Sequence, residues 1–444
     1  MTLQCSCLFA RTESIYYAGM PDADHPNRRE FEQMDRAKLR EHQRTRFNRL
    51  IKAILPGNAH YAAKFAGHTV DLQSLDDLAQ LPFTTKADLV AADTDNSNRT
   101  FPATKYVRFH RTSGTSGRPL AILDTAEDWD AWIESWQYVL DSAKITTEDI
   151  AVMAFSFGPF IGFWSANDAI AHRGAMVVPA GGMSTRARLD LIADCHATVV
   201  CSTPTYALRM AEVAKENNIQ LTDSDVSRII VAGEPGGSIP AIRKRIESAW
   251  GAEVIDHSGA TEVGPWGYTN AARTGLHVIE SDFIAEFIDP DSLQSIDPAS
   301  KPEKPCELVL TSLARTGMPA IRYRTGDLVI PRFEESGNNF VLLDGGVLGR
   351  ADNMVIVRGV NVFPSSIEAI LRDCDDVGEF QITAKKNGEM DELEVSIENV
   401  SAERRKEIDE LFQSRLGLRV AINSVEQGSL PRFEAKSKRF VDKR

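Results

Sequence analysis

The alternation of strands and helices in the middle of the chain restricts its fold more than any other feature. Short β-rich runs at 175–178, 198–201, 228–231 and 253–255 are separated by helical periods at 189–194, 206–217 and 240–250. Strands spaced by helices cannot pair as hairpins. Each crossover returns the chain parallel to the strand before, so βαβ units and a mostly parallel sheet are expected. Pro, Gly or Ser-rich turns follow most of these strands. Ligands of such sheets sit beyond the carboxyl ends of the strands, so those turns are where chemistry is sought.

The texture differs on both sides of this region. Residues 30–55 predict one amphipathic helix, with Phe47, Leu50, Ile51 and Ile54 on its apolar face. Arg36, Arg40 and Arg44 near its start suit either a solvated helix end or a grip on a phosphate. From Cys306 longer strands with hairpin character take over. After Gly349-Arg350 a smaller α+β unit is expected, with a hairpin around Lys386-Asn387-Gly388. An alternating strand (Leu393, Val395, Ile397), a helix over 402–416 and a strand near 420–422 follow. The 444 residues exceed what one hydrophobic core serves. The expectation is a large α/β domain over 1–348 and a small α+β domain over 349–444.

Fifty basic against sixty-three acidic residues give a net charge of −13, which argues against generic binding to nucleic acid or anionic membranes. The six cysteines, Cys5, Cys7, Cys195, Cys201, Cys306 and Cys374, match no zinc-ligand spacing or disulfide framework. Reduced thiols and a cytoplasmic location are expected. The uncharged run 150–167 approaches membrane-spanning length, but Gly158-Pro159 breaks it. It reads as a buried strand running into a loop.

Five stretches carry chemistry. In Arg111-Thr112-Ser113-Gly114-Thr115-Ser116-Gly117-Arg118-Pro119, small hydroxylated residues and glycines let backbone N–H groups approach an anion. β-rich flanks at 106–109 and 120–123 make it a strand–loop–strand, and by composition alone it reads equally as a linker. Val231-Ala232-Gly233-Glu234-Pro235 ends a strand with a turn suited to packing a flat base. The stretch Asp256-His257-Ser258-Gly259-Ala260-Thr261-Glu262 offers a hydroxyl beside a carboxylate, a pair suited to magnesium shared with phosphate oxygens. Tyr323-Arg324-Thr325-Gly326-Asp327 puts a carboxylate at a turn, where it can accept from ribose hydroxyls. Leu348-Gly349-Arg350-Ala351-Asp352 meets the domain junction. Each carboxylate has a plainer alternative, a helix cap or a surface ion pair.

Taken together and in order, these stretches resemble the acyl-adenylate-forming superfamily, and within it the phenylacetate–CoA ligases. The string Arg358-Gly359-Val360-Asn361-Val362-Phe363-Pro364 and the tail Leu430-Pro431-Arg432-Phe433-Glu434-Ala435-Lys436-Ser437-Lys438-Arg439 complete the likeness. It implies ATP-dependent activation of a small carboxylic acid as its acyl-adenylate, then transfer to CoA with release of AMP and pyrophosphate. ATP, magnesium and CoA are the implied cofactors.

Residue by residue, the resemblance implies that Thr112, Ser113, Gly114, Thr115, Ser116 and Gly117 hold phosphates. Gly233, Glu234, Pro235 and Ser258 line adenine, while Asp327 and Arg350 hold the ribose. Thr261 and Glu262 serve the metal, Glu262 also catalysis. Asp352 is the hinge of a mobile small domain and Lys436 the catalytic lysine, with Lys438 as its competitor. The aromatic run 155–164, with Phe157, Phe160 and Trp164, joins Gly259 as the pocket for an aryl or arylacetic acid; plain core is the other reading of those aromatics. Three departures stand out: Ser258 where an aromatic usually stacks on adenine, Arg118 for a lysine, and Ala435 for a glycine. A carrier-protein phosphopantetheine is the alternative acceptor, a degenerate nucleotide-binding regulator the non-enzymatic alternative, and a homodimer the candidate assembly.

Overall fold

The structure, a computed structural model, describes residues 28–112, 119–351, 355–357, 360–374, 376–387, 390–433 and 436–444. A nine-stranded sheet organises the first three quarters of the chain. Strands Met176–Pro179, Ile150–Met153, Val199–Ser202, Arg228–Val231 and Glu253–Ala260 run parallel in that spatial order. Antiparallel strands Gly264–Thr269, Gly275–Val278, Leu342–Asp344 and Pro331–Arg332 extend it. The parallel half fills its faces with continuous apolar runs. Val199, Val200 and Cys201 are fully buried, as are Ile229, Ile230 and Val231, because helices cover both sides.

The crossover helices Thr185–Asp194, Pro204–Glu216 and Pro240–Trp250 lie where the periodicity predicts them. Each begins on a recognisable signal. Ser184 and Thr203 accept from backbone N–H groups of the first turn, and Pro204 and Pro240 occupy the opening turn where no N–H is needed. Gly251, at φ 68°, ends the last of the three.

A second sheet, Phe283–Ile288, Cys306–Ser312, Tyr323–Val329 and Gly349–Arg350, is wholly antiparallel, in keeping with the hairpin texture after Cys306. The hairpin Tyr106–Arg111/Ala121–Thr125 brackets the Ser/Thr/Gly stretch as expected. The small C-terminal domain is α+β. Its sheet orders Ala421–Val425, Met390–Glu398, Phe380–Asn387 and Phe440–Asp442. Helices Pro364–Arg372 and Ala402–Leu416 close over a separate core containing Ile367, Phe380, Val395, Ile408 and Phe412.

Three expectations are corrected. The helix over 30–55 is two, Arg28–Glu32 and Arg36–Ile54, because the Asp35 carboxylate accepts from Ala37 and Lys38 N–H and restarts the helix. Its arginines are engaged by carboxylates: Arg36 with Glu280 at 2.5 Å, Arg40 with Asp76 at 2.7 Å, Arg44 with Glu41 at 2.5 Å. The strand expected to end at Ile255 continues to Ala260, so Asp256–Ala260 is strand rather than loop. Its partner strand Gly264–Thr269 supplies the ladder that carries it on. Asp327 likewise lies within a strand, inside an irregularity of its pairing with Cys306–Ser312 where Gly326 has φ 75°. Among the described residues no helix is long and apolar enough to cross a membrane.

Candidate active site

The loops beyond the carboxyl ends of the parallel strands meet one another. After Val231 the chain turns through Gly233, at φ 96°, which presents Glu234 to the start of the neighbouring helix. Glu234 Oε1 accepts from Thr205 N–H at 2.8 Å. That N–H belongs to the first turn of helix Pro204–Glu216, where intrahelical acceptors are missing and the helix dipole favours an anion. Glu234 Oε2 accepts from Ser437 N–H at 2.7 Å, so the C-terminal domain reaches this loop. Burial pushes the Glu234 carboxyl upwards, and the two N–H groups oppose that shift.

Lys436 arrives with Ser437. A Cβ on Gly233 would lie 2.9 Å from Lys436 Cε, so the lysine stem passes directly over this glycine. Lys436 is exposed at its surface while its ammonium group lies among charged groups of the large domain. Desolvation by the surrounding protein lowers its pKa, while the charges of Glu234, Asp327 and Glu262 pull it upwards and Arg350 adds to the lowering. Lys438 is exposed. Charged groups from four separated sequence stretches thus act on one ammonium group.

Asp327 and Arg350 face each other across the second sheet. Arg350 Nη1 donates to Thr325 O at 3.0 Å and approaches Asp327 Oδ1 at 3.4 Å. The guanidinium lies over Gly326, where a Cβ would meet Arg350 Nη2 at 2.8 Å.

Thr261 and Glu262 follow the strand Glu253–Ala260. The Glu262 carboxylate is nearly enclosed and lies 3.4 Å from Lys86 Nζ. Burial together with the facing Glu262 carboxylate raises the Tyr323 phenol. The backbone of both residues is fixed by Arg315, whose Nη1 donates to Thr261 O at 3.2 Å and Glu262 O at 2.8 Å. Arg315 Nη2 donates to Asp124 Oδ1 at 2.5 Å on the hairpin that frames the Ser/Thr/Gly stretch. Thr112 closes that hairpin: its N–H donates to Leu120 O and its Oγ1 accepts from Leu120 N–H, both at 3.0 Å. Ser113, Gly114, Thr115, Ser116, Gly117 and the hinge candidate Asp352 lie outside the described residues.

The aromatic run divides in two. Phe155 and Phe163 are buried core. Phe157 and Trp164 are half-buried and meet edge-on at 4.6 Å, and Phe160 is 40 % exposed. Trp164 Nε1 donates to Gly158 O at 3.0 Å, which ties the loop to the helix it enters. Phe157 packs against Gly181, beyond the adjacent strand, where a Cβ would lie 3.0 Å from the ring. Gly259 lies beside His257, and Ser258 sits across from Gly267 in the sheet. Pro235 is half-buried after Glu234.

Sequence reasoning missed Lys86, Arg315, Thr205 and Arg439. None lies in a stretch whose composition announces a site. Arg439 alone lies in a motif, as the last residue of the tail 430–439, where the resemblance assigns it no role.

The C-terminal residues 359–444 match the AMP-binding enzyme C-terminal domain family. The phenylacetate–coenzyme A ligase of Thermus thermophilus is 30% identical over 383 residues, spanning 83% of this chain and 83% of that protein. The ligase of the same name from Escherichia coli K12 is 31% identical over 405 residues, 86% of this chain and 90% of that one. Among solved structures, 2-hydroxyisobutyryl-CoA ligase in its postadenylation state with 2-HIB-AMP superposes with a TM-score of 0.88 at 27% identity. That match covers 97% of this chain and 95% of the other. The same ligase with 2-HIB-AMP and CoA in its thioesterification state gives 0.71 at 26% identity, again over 97% and 95%.

Fold and sequence together define an AMP-forming acid–thiol ligase. The chain belongs to the phenylacetate–coenzyme A ligase family.

Proposed function

We propose that this enzyme activates an aryl or arylacetic acid as its acyl-adenylate and passes the acyl group to CoA. The observation carrying this reading is the Lys436 ammonium, brought by the C-terminal domain against Gly233 and into the fields of Glu234, Asp327 and Glu262. In the first half-reaction a carboxylate oxygen attacks the α-phosphorus and pyrophosphate leaves. In the second a CoA thiol sulfur attacks the acyl carbon, AMP leaves and the thiol proton goes to solvent. Lys436 is the catalytic lysine. Its positive charge bridges the acid's carboxylate and the α-phosphate, where negative charge concentrates as the bond forms. Asp327 and Arg350 hold the ribose; Gly233, Glu234, Pro235 and Ser258 line adenine; Thr112 with Ser113, Gly114, Thr115, Ser116 and Gly117 holds the phosphates.

Thr261 and Glu262 fit a magnesium ion. The ion usually takes one or two carboxylates and draws its other ligands from phosphate and water. Among the described residues no group of three His, Cys, Asp or Glu side chains gathers into a full protein cage. Glu262 already attracts a cation, Lys86. When bound, the ion would neutralise triphosphate charge. Phe157, Phe160, Trp164 and Gly259 line the acid pocket. The half-open placement of the three aromatics supports this over plain core. The small domain, 349–444, turns about Asp352 between the two half-reactions.

The test measures AMP and pyrophosphate release across a panel of carboxylic acids, with and without CoA. Arylacetic and aryl acids release pyrophosphate, and CoA then yields AMP and thioester. A panel in which only aliphatic or amino acids respond contradicts the acid assignment. Turnover with a carrier-protein phosphopantetheine but not with CoA contradicts the acceptor.

A further inference from the structure

We propose that Glu234 and Arg439 are positioning residues that clamp the Lys436 segment onto the cleft, and thereby set how readily the enzyme adenylates its acid. The proposal rests on Lys436 being the catalytic lysine and adds what holds it in place. Lys436 is anchored one and three residues downstream, and both anchors end on Thr205. Ser437 N–H donates to Glu234 Oε2, whose other oxygen accepts from Thr205 N–H. Arg439 Nη1 donates to Thr205 Oγ1 at 3.1 Å. Arg439 is only 6% exposed, and its Nε and Nη2 donate to Glu379 at 2.5 and 3.0 Å, so the guanidinium is rigidly aimed from within the small domain. Phe380 and Phe433 lie under its face at 5.4 and 5.5 Å. A second contact, Arg245 Nη2 donating to Val377 O at 3.3 Å, joins helix Pro240–Trp250 to the same domain.

The arrangement is economical in side-chain freedom. Lysine is a long flexible chain whose ordering costs entropy. Its neighbours are held by backbone N–H and a buried fork, so only the lysine stem itself remains to be ordered. Because Glu234 and Thr205 belong to the large domain, the clamp exists only while the small domain sits as it does here. That arrangement superposes better on the relative in its postadenylation state than in its thioesterification state. A clamp of this kind favours the first half-reaction and must release for the second.

The experiment uses the full chain and reads two half-reactions separately: acid-dependent exchange of labelled pyrophosphate into ATP, and thioester formation from supplied acyl-adenylate and CoA. Thr205→Val removes only the hydroxyl acceptor from the large domain. It lowers exchange by ~10- to 100-fold, the cost of one hydrogen bond to a charged group, while thioester formation stays within about twofold or rises. Arg439→Met lowers exchange by ~10-fold or more, and Arg439→Lys restores part of it. Glu234→Gln lowers exchange kcat at saturating ATP. A residue that merely lined the adenine would raise KM for ATP instead. Lys436→Ala, run alongside, abolishes exchange. If Lys436→Ala retains exchange, the catalytic lysine itself is misassigned. If it loses exchange while Thr205→Val changes neither half-reaction, or lowers both equally, the clamp is overturned on its own.

Discussion

Asp256 and His257 are neighbours on one buried strand, and burial moves them in opposite directions because it penalises whichever form carries charge. Asp256 is pushed up to about 6, against the hydrogen bond it accepts from Ser238 Oγ at 2.5 Å. His257 is lowered to about 4; its Nδ1–H donates to Gly267 O at 2.7 Å and its ring lies 4.1 Å from Trp136. For His257, whose ordinary value is 6.5, the folded chain binds fewer protons than the unfolded one between about 4 and 6.5. Stability is therefore lost as pH falls through that window. For Asp256 the folded chain keeps its proton longer, so stability is lost as pH rises from its ordinary 3.8 towards 6. The slopes oppose each other around pH 5. Replacing His257 with Asn keeps a donor for Gly267 O and removes one slope. In urea unfolding, the variant gains about 2 kcal/mol relative to the parent on going from pH 7 to pH 5. Equal pH dependence in both proteins contradicts the assignment. The composition of Asp256–Glu262 marks the stretch as chemical, but cannot tell that Gly237 and Gly346, distant in sequence, pack against the Asp256 carboxylate.

At the scale of elements, the strand carrying Asp327 shows why a motif can be read correctly and its local structure misread. Tyr323-Arg324-Thr325-Gly326-Asp327 has the Gly and Asp of a turn. It is nevertheless a strand, because Cys306–Ser312 and Gly349–Arg350 pair with it on either side. The glycine serves an irregularity rather than a reversal. Gly326→Ala meets both a positive-φ penalty and the Arg350 guanidinium. Gly182→Ala, at φ 77° with nothing within 4 Å, meets only the penalty. Both lower stability by about 1–2 kcal/mol. Only Gly326→Ala raises KM for ATP, by roughly fivefold or more, since about 1 kcal/mol of lost ribose contact corresponds to that factor. Comparable KM values in the two variants would remove Arg350 from the nucleotide site. The crossover helices were legible because their caps and prolines are local signals. The extension of Glu253–Ala260 was not, because its partner strand lies beyond it in the chain.

At the scale of the whole molecule, the βαβ alternation and the change of texture after Cys306 were enough to anticipate the two kinds of sheet and the small α+β domain. What those patterns could not carry is how a segment near residue 436 returns to a turn near residue 233. That contact depends on a buried guanidinium and two backbone N–H groups, which leave no periodic trace. The ends of the parallel strands, the second sheet and the small domain converge on one ammonium group, and the account stands on that convergence forming a site for an acyl-adenylate. Calorimetric titration of the full chain with a non-hydrolysable acyl-adenylate mimic bearing an arylacetyl group tests this most directly. The prediction is saturable one-to-one binding that Lys436→Ala weakens by ~10-fold or more, the cost of removing a charged partner from the cleft. Absence of saturable binding by the parent protein would contradict the account.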